Sequence, residues 1–230
     1  MRTTIEIDDE LTGRALAEGA FKSKKAAVEA GLRLVVRQEA GRQRLEGLKI
    51  TIRPLEPDDS LEAITELLHA AYASLAAQGW NFTAVNQSVD VTRQRLQGAQ
   101  AFVAVSENRL VGTVAIRGPK PSNETYIGDP SPSLYTTPGT AILAQLGVHP
   151  DWRGQGLAER LIDAAEHWAR VQGHHQIALD TAEPASALRA RYERRGYVDV
   201  GSVQWQGKTY RSVLMCKQMP LVEQHESRSP

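Results

Sequence analysis

The segment over 145–169 has an apolar run followed by an amphipathic run, and between them stand two glycines separated by one residue. Its sequence is QLGVHPDWRGQGLAERLIDAAEHWA. The apolar run predicts a buried strand that ends at Val148, and the amphipathic run predicts a helix beginning near Gln155. The helix positions that we expect in the core are Leu157, Leu161, Ala164, Ala165 and Trp168. Gly154 and Gly156 lack a Cβ, so the main chain there can turn sharply and approach a ligand closely. The fold must therefore hold a strand, a glycine turn and a helix in direct succession.

The first turn of this helix is suited to an anion. The N–H groups at a helix start have no intrahelical partner, and the helix dipole adds partial positive charge, so such a turn can bind a pyrophosphate. Two other phosphate motifs fit less well. A dinucleotide fingerprint would need a small residue at Glu159, although Asp180 stands at about the right distance downstream. The triplet Gly207-Lys208-Thr209 lacks the upstream glycine of a Walker loop, and its flanks predict a hairpin.

Composition excludes several classes of protein. The 27 Lys and Arg residues balance 27 Asp and Glu, so bulk electrostatic capture of nucleic acid is not indicated. No apolar stretch reaches the ~18 residues of a membrane helix, and the start, MRTTIEIDDEL, is unlike a signal peptide. We therefore expect a cytoplasmic protein without membrane contact. Cys216 is the sole cysteine and is expected to be chemically silent, and the histidines at 167, 174 and 175 lack partners at metal-ligand spacing, so no metal is expected.

The pattern from residue 49 to 220 predicts one domain with strands and helices in a fixed order. A strand precedes a helix with apolar residues at 61, 64, 68 and 71, a second short helix lies near 91–96, and a hairpin over 101–116 turns at Glu107-Asn108-Arg109. A stretch rich in Pro, Gly, Ser and Thr predicts a long loop over 118–139. The elements after it are a strand (141–148), a helix (155–172), a strand (176–180), a helix (185–195) and a hairpin (197–206 with 210–219). Residues 221–230 are expected to form a flexible tail.

This domain resembles the GNAT family of acetyl-CoA-dependent N-acetyltransferases. The phosphate motif of that family, Arg/Gln-x-x-Gly-x-Gly/Ala, matches Arg153, Gly156 and Ala158. The flanking stretches LGVHPDW and ALRARYERRGY stand at the family's spacing, and the order of elements agrees. The resemblance implies an α/β (α+β) fold, with a mixed, mostly antiparallel sheet and flanking helices. It also implies acetyl-CoA as cosubstrate and direct transfer of the acetyl group to an amine.

The resemblance implies roles for particular residues. The strand before the phosphate turn splays from the next strand, and its main chain binds the pantetheine arm of CoA. The expected cofactor-binding residues are Leu146, Gly147, Val148, Arg153, Gly154, Gln155, Gly156, Leu157, Ala158 and Thr181. Tyr192 is the expected general acid for the CoA thiolate, with nearby arginines lowering its pKa. An asparagine common in the family is Ala185 here, so its contact with CoA is missing or comes from Thr181 or Ser186.

The acceptor side is less defined. The expected walls of the acceptor pocket are Trp80, Asn81 and Phe82 after the first helix, and Trp205, Tyr210 and Arg211 in the closing hairpin. The general base is open, because Gln145 stands where a carboxylate is expected; candidates are His149, Glu124, Asp129, Tyr126 and a water chain. The sequence does not name the acceptor amine.

Residues 1–46 form a separate segment. Thr3, Ile5 and Ile7 alternate with polar residues and predict a strand, which two helices follow: one from Glu10 to about Glu18, and one capped by Ser23. The expected apolar face of the second helix is Val28, Leu32, Val35 and Val36. So short a segment cannot bury a core alone, so pairing of two copies is expected.

The stretches MRTTIEIDDEL and FKSKKAAVEAGLRLVV resemble the ribbon-helix-helix fold of VapB-type antitoxins. That likeness implies a homodimer, with DNA contact through Arg2, Thr4 and Glu6; dimerisation without DNA binding is the alternative. The function predicted for the whole chain is an N-acetyltransferase acting on a small-molecule or peptide amine. The alternatives are a fused toxin–antitoxin acetyltransferase acting on aminoacyl-tRNA, and a DNA-binding regulator with an acetyl-CoA-sensing domain.

Overall fold

The computed structural model describes residues 8–10, 13, 16, 23–33, 49–121, 125–126 and 129–219. The chain divides into two compact units, Met1–Gly47 and Leu48–Pro230. In the first unit, residues 24–33 are helical, and the Ser23 hydroxyl accepts a hydrogen bond from the Ala26 amide at 3.2 Å, which confirms the predicted cap. Val28 is half-buried, whereas Leu32 is exposed. The predicted strand, the pair Val35–Val36 and the tail at 221–230 lie outside the described residues.

The second unit is built on a seven-stranded sheet with the order β1-β2-β3-β6-β7-β9-β8. Its strands are β1 (Thr51–Pro54), β2 (Gln100–Ser106), β3 (Arg109–Arg117), β6 (Thr140–Val148), β7 (Gln176–Ala182), β8 (Val198–Val203) and β9 (Ser212–Gln218). Only β6 and β7 pair in parallel; the other neighbours in this sheet are antiparallel. The mixed, mostly antiparallel sheet is therefore confirmed.

Helices flank this sheet. They are α1 (Leu61–Ala76), α2 (Val89–Leu96), α3 (Ser133–Thr136), α4 (Leu157–Val171) and α5 (Ser186–Arg194). The Ser60 hydroxyl caps α1 by accepting a hydrogen bond from the Ala63 amide at 3.0 Å. Ile64 and Leu68 of α1 are buried in the core. None of the described helices is both long enough and apolar enough to cross a membrane.

Two expectations about local structure need correction. The stretch over 118–139 is not a plain loop, because it contains a short ladder of β4 (Thr125–Tyr126) with β5 (Asp129–Pro130), followed by the single turn α3. Tyr135 of α3 is fully buried and packs beside Ile142, and this contact anchors the stretch to the sheet. The core face of α4 is only partly the expected one: Leu157, Leu161 and Ala165 are buried as predicted, but Ala164 and Trp168 are half-buried, and Ile162 and Ala169 are buried in addition.

Candidate active site

The site lies where two parallel strands separate. The pairing of β6 with β7 covers three residue pairs and ends at Ile142 and Ala178, although the strands continue to Val148 and Ala182. The diverging ends leave main-chain groups of β6 without a β7 neighbour and open a cavity of about 610 Å³ between the strands. The splay expected from the sequence is therefore confirmed.

A β-bulge shapes the β6 wall of this cavity. Thr113 pairs with Gly147 and Ala115 with Ala144, so one residue of β3 faces two residues of β6, Gln145 and Leu146. Gln145 takes a left-handed φ of 54°, which is uncommon for a residue with a side chain. The Tyr72 hydroxyl donates to the Leu146 carbonyl at 3.0 Å. The bulge thus redirects the strand as it enters the cavity.

Gly147 is required by packing rather than by its φ. A Cβ at this position would lie 3.2 Å from Cδ2 of Leu68 and 3.3 Å from Cβ of Ala71. Both neighbours belong to α1, so the absence of a side chain lets that helix lie close against β6. The close approach brings Ala71 and Tyr72 of α1 to the cavity wall beside Gly147.

The turn before α4 has the geometry that an anion needs. Gly154 and Gly156 take left-handed φ values of 81° and 70°, which glycine adopts at low cost. A Cβ on either glycine would meet no described atom within 4 Å, so the space beside the turn is open. Gly156 is the N-cap of α4 and has no side chain to cap the helix, so none of its own atoms covers the first turn. Gly154, Gly156, Leu157 and Ala158 all line the cavity.

Two guanidinium groups stand near this turn. Arg153 donates from Nη2 to the Ala71 carbonyl and lines the cavity together with Arg191 of α5. Burial lowers the pKa of Arg153, and the charge of Arg191 lowers it further, so the two cations repel each other. The buried Nε of Arg191 has no hydrogen-bond partner among the described residues, and its Nη1 lies 3.6 Å from Oε1 of Glu159. An anion between the two groups would relieve this repulsion.

Tyr192 lies on α5 and is buried in the cavity wall. Burial raises the pKa of its phenol, and the neighbouring Tyr72 raises it further; Arg191 lowers it, but by less. The expectation that arginines depress this pKa is therefore wrong, because removal of the phenol from water outweighs one nearby cation. The phenol stays protonated at neutral pH and can donate a hydrogen bond into the cavity.

Ion pairs fix α5 against α4 and so fix the position of Tyr192. Arg195 donates to Oε2 of Glu159 at 3.0 Å and to Oδ1 of Asp163 at 2.6 Å. The buried carboxylate of Glu166 accepts hydrogen bonds from the Lys217 ammonium at 2.7 Å and from the Tyr197 hydroxyl at 3.2 Å. The Tyr197 ring meets the Tyr192 ring edge-on at 5.7 Å. This network sets the orientation of the helix, and its member Glu159 also lines the cavity.

Three of the six residues expected in the acceptor wall line the cavity: Phe82, Trp205 and Tyr210. Two of the others, Trp80 and Asn81, support the wall from behind. Trp80 packs on Ala182, Ala185 and Tyr210. Asn81 joins its loop to the closing hairpin, because its Nδ2 donates to the Gly207 carbonyl at 2.7 Å and its Oδ1 accepts the Thr209 amide at 2.8 Å.

Only some of the other expected site residues line the cavity. Leu146, Val148 and Thr181 line it, whereas Gln155 and Ser186 do not. Ala185, at the position of the family's asparagine, is buried beneath the start of α5. Arg211 is exposed and does not line the cavity.

The candidate bases and the cysteine also lie elsewhere. The ring of His149 accepts the Asp151 amide at 3.3 Å, and Oδ2 of Asp129 accepts the Gln206 amide at 2.6 Å; neither residue lines the cavity. The side chains of Glu124 and Tyr126 lie outside the described residues. Cys216 is buried on β9, and burial raises the pKa of its thiol.

Two residues that sequence reasoning did not place in the site belong to it. Asp180 of β7 lines the main cavity and also a second one of about 390 Å³, and it accepts hydrogen bonds from the Tyr135 hydroxyl at 2.9 Å and the Trp205 indole at 3.0 Å. Lys208 lines the main cavity, and burial lowers the pKa of its ammonium. The signal for Asp180 was a lone carboxylate within the apolar strand IALDTA, since a buried charge needs a partner or a function.

Residues 61–197 match the family model described as "Acetyltransferase (GNAT) family". The chain belongs to the GNAT acetyltransferase family. Human N-acetyltransferase 8B is 29% identical over 114 residues, which are 49% of this chain and 45% of that protein. The chain therefore spans about half the length of this curated relative. The aminoglycoside N(6')-acetyltransferase type 1 of Klebsiella aerogenes is 26% identical over 66% of this chain and 92% of its own.

A solved GNAT structure shows the same fold. The PaiA N-acetyltransferase of Thermoplasma acidophilum, in complex with coenzyme A, has a TM-score of 0.57 and 15% identity over 74% of this chain and 99% of its own. The N-terminal unit matches a different family model, the VapB bacterial antitoxin of type II toxin–antitoxin systems, over residues 1–47. The sequence therefore joins a GNAT acetyltransferase domain to an antitoxin-like segment.

Proposed function

We propose that this GNAT protein transfers the acetyl group of acetyl-CoA to a primary amine of a small molecule or peptide. The observation that carries the proposal is the cavity between the splayed ends of β6 and β7, with the uncapped start of α4 at its rim. This arrangement offers main-chain groups for an extended pantetheine arm and an anion site for a diphosphate. Family membership supports the same reaction.

The cofactor side of the cleft is formed mainly by main chain. The N–H groups over 153–158 hold the diphosphate at the positive end of the α4 dipole, and Arg153 and Arg191 add charge. The β6 main chain at Leu146, Gly147 and Val148 binds the pantetheine arm, and Thr181 faces it from β7. An N–H of β6 aimed at the thioester oxygen stabilises the negative charge that develops there.

The reaction needs no protein nucleophile. The free amine nitrogen attacks the thioester carbonyl carbon, a C–N bond forms, and the C–S bond breaks with its electron pair going to sulfur. An ammonium and acetyl-CoA become an amide and CoA thiol, with one proton released to solvent. Deprotonation of the ammonium must precede attack, because only the neutral amine has the lone pair.

Tyr192 is the proposed hydrogen-bond donor to the departing thiolate. A thiol has an ordinary pKa of about 8.5, and burial holds the pKa of the Tyr192 phenol above the ordinary value for tyrosine. Complete transfer of the phenolic proton to sulfur is therefore uphill, so Tyr192 stabilises the thiolate chiefly through the O–H···S hydrogen bond. The general-acid role is thus refined to a donor that keeps its proton for most of the step.

The acceptor amine approaches from the wall of Phe82, Trp205 and Tyr210. The Phe82 ring lies 4.8 Å from that of Tyr210 and 5.4 Å from that of Tyr72. Trp80 and Asn81 hold this wall in place from behind. Aromatic rings with a few polar groups suit an amine that has an apolar or planar part.

The direct test is a panel of primary amines incubated with acetyl-CoA and the full chain, with CoA thiol release followed continuously. We expect release that depends on both amine and enzyme and that falls in the Tyr192→Phe variant. Acetyl-CoA binding without amine-dependent release in any member of a broad panel would favour the sensor alternative. Absence of acetyl-CoA binding would contradict both.

A second proposal concerns the N-terminal unit, and the match to the antitoxin model supports it. We propose that residues 1–47 form a ribbon-helix-helix segment that pairs two chains, with Arg2, Thr4 and Glu6 on the face that could meet DNA; these three residues lie outside the described ones. Sedimentation of the full chain should give a dimer. A salt-dependent gel shift on the protein's own promoter would add DNA binding, and a monomer at all concentrations would contradict the pairing.

The toxin-type alternative, acetylation of aminoacyl-tRNA, has less support. Residues 47–230 contain 18 basic and 19 acidic residues, whereas a tRNA substrate needs a basic track for its phosphates. Incubation with charged tRNA in the same thiol assay would decide this case.

A further inference from the structure

The second cavity has no role in the proposed acetyl transfer. It measures about 390 Å³ and shares part of its lining with the main cavity. The aromatic residues of the proposed acceptor wall, Phe82, Trp205 and Tyr210, line the main cavity and not the second one. A part of the donor substrate can therefore occupy the second cavity while the acceptor lies against its own wall.

The order of residues along β6 places the second cavity beyond the thioester. Residues 145–148 line the main cavity alone, Leu143 and Ala144 line both cavities, and Ile142 lines the second cavity alone. In the proposed binding mode the pantetheine arm runs along 146–148, away from the diphosphate turn, so its thioester lies near the bulge. An acyl group longer than acetyl then continues along β6 and enters the second cavity.

The strands give this cavity an apolar wall. Ala115 of β3 pairs with Ala144 of β6, and Ile116 pairs with Leu143. All four residues line the second cavity. Further apolar residues of its lining are Val91, Ala99 and Ile142. A hydrocarbon chain that covers such residues is removed from water together with them, which favours its binding.

The charged residues of the lining already interact within the chain. Asp180 accepts hydrogen bonds from two buried side chains, at 2.9 Å and 3.0 Å. Arg95 donates to Oε1 of Gln87 at 3.1 Å and has a further interaction, and Arg117 and Lys120 also interact with other groups. A ligand need not supply a counter-charge to groups that have partners. A neutral chain therefore fits this lining better than an anionic one.

The shared strand sets the length of the chain. The stretch of β6 from Ala144 to Ile142 covers about 7 Å, since a strand rises about 3.3 Å per residue. Single C–C bonds are about 1.5 Å long, and an extended zigzag chain of about five such bonds runs this distance. Acyl groups of about four to six carbons thus reach from the thioester to Ile142.

We propose that the second cavity binds the acyl chain of the donor, so that straight-chain acyl-CoA thioesters of about four to six carbons serve as donors besides acetyl-CoA. This inference rests on the proposed function and adds the class of donor. The chemistry is unchanged. The amine nitrogen forms a C–N bond with the thioester carbonyl carbon, the C–S bond breaks with its electron pair going to sulfur, and one proton goes to solvent.

The first experiment is calorimetry of the full chain with acetyl-, butyryl-, hexanoyl- and succinyl-CoA. A buried methylene is worth about 0.8 kcal/mol, or roughly a fourfold gain in affinity. Butyryl-CoA has two methylenes more than acetyl-CoA and should bind about 10-fold more tightly. Succinyl-CoA has the same number of acyl carbons as butyryl-CoA but ends in a carboxylate, so it should bind more weakly than butyryl-CoA.

Three results would overturn the proposal. Butyryl- and hexanoyl-CoA could bind no more tightly than acetyl-CoA, or succinyl-CoA could bind more tightly than butyryl-CoA. The third result is butyryl-CoA that binds tightly but gives no thiol release with an amine that the enzyme acetylates.

The second experiment assigns the chain to the second cavity. Val91→Trp enlarges a half-buried residue of α2 that lines this cavity alone, and it should reduce the affinity for butyryl-CoA to within about twofold of that for acetyl-CoA. Val89→Trp is the matched control, because Val89 is also half-buried on α2 but lines neither cavity. The control should keep the gain for butyryl-CoA. Retention of the gain in Val91→Trp, or its loss in both variants, would contradict the assignment.

A second variant makes the result independent of how α2 accepts a tryptophan. Ala99→Leu enlarges a half-buried residue directly before β2 that also lines the second cavity alone. It should lower the affinity for hexanoyl-CoA more than that for acetyl-CoA, and equal losses for the two thioesters would count against the proposal. Failure of the proposed function is visible separately, because the wild-type chain would then bind none of these thioesters. If acetyl-CoA binds and the longer thioesters bind no more tightly, only the donor inference fails.

Discussion

The two walls of the cleft differ in the groups that line them, because one is mainly main chain and the other is mainly side chains. On the proposed cofactor side, the cavity is lined mainly by main chain: the bulge at Gln145 and Leu146, the turn at Gly154 and Gly156, and the first turn of α4. On the proposed acceptor side, it is lined by side chains that distant parts of the chain supply, among them Phe82, Asp180 and Lys208. A main-chain site serves a constant ligand, and a side-chain site can change its ligand by substitution. This difference fits a family that keeps its cosubstrate and varies its acceptor.

The largest expected effect is on the cofactor side. Gly156→Asp places a carboxylate at the proposed diphosphate site, and two like charges about 4 Å apart at the protein surface cost about 4 kcal/mol. Acetyl-CoA affinity should therefore fall on the order of 1,000-fold in a calorimetric titration. The matched control is Gly173→Asp at the other end of α4, where the φ is also left-handed and a Cβ would likewise meet no described atom within 4 Å. Equal affinity losses in the two variants would show that the turn is not the anion site.

The second prediction concerns Tyr192 and distinguishes an effect on kcat from an effect on acetyl-CoA affinity. Tyr192→Phe removes the proposed donor to the thiolate, and a hydrogen bond to a charged group is worth about 1.5–3 kcal/mol, so kcat should fall about 10- to 100-fold with acetyl-CoA affinity unchanged. Tyr197→Phe is the control, since its hydroxyl donates to Glu166 in the ion-pair network. That variant should lose thermal stability and keep kcat. An unchanged kcat in Tyr192→Phe would remove this residue from the mechanism.

The two walls also differ in how far the sequence predicts them. The glycine turn and the order of elements were predictable from local features such as Gly154, Gly156 and the periodicity of α4, and the splay was implied by the resemblance to the GNAT family. In the sequence, Asp180 and Lys208 stand only within phosphate motifs that this chain does not match. Asp180 and Lys208 come together in the cavity because of the pairing of β7 with its neighbours and the position of the closing hairpin. No short stretch of sequence encodes either of these features. The raised pKa of Tyr192 was missed for the same reason, since burial is a property of the whole fold.

The bulge on β6 was also missed, and it gives a third prediction. Gln145→Gly keeps the left-handed φ available, so acetyl-CoA affinity should stay within about twofold of wild type. Gln145→Val places a β-branched residue there, at a cost of about 1–3 kcal/mol. This variant should lower the Tm by about 2–12 °C and weaken acetyl-CoA binding several-fold. Equal affinities in the two variants would show that the bulge does not shape the cofactor wall.

The smallest effect is expected at Cys216, which belongs to neither wall. Cys216→Ala removes a buried sulfur and should cost about 1 kcal/mol of stability. The value of kcat should stay within about twofold of wild type, because direct transfer needs no thiol nucleophile. A large loss of kcat with stability retained would point to a covalent acetyl-cysteine step and contradict direct transfer.

The proposal that main-chain N–H groups bind the diphosphate is tested most directly by calorimetry of the full wild-type chain with two ligands. Acetyl-CoA contains the diphosphate, and S-acetylpantetheine has the same thioester arm without it. The account predicts one acetyl-CoA bound per chain and an affinity for S-acetylpantetheine at least 100-fold lower. Equal affinities for the two, or no heat with acetyl-CoA, would contradict it.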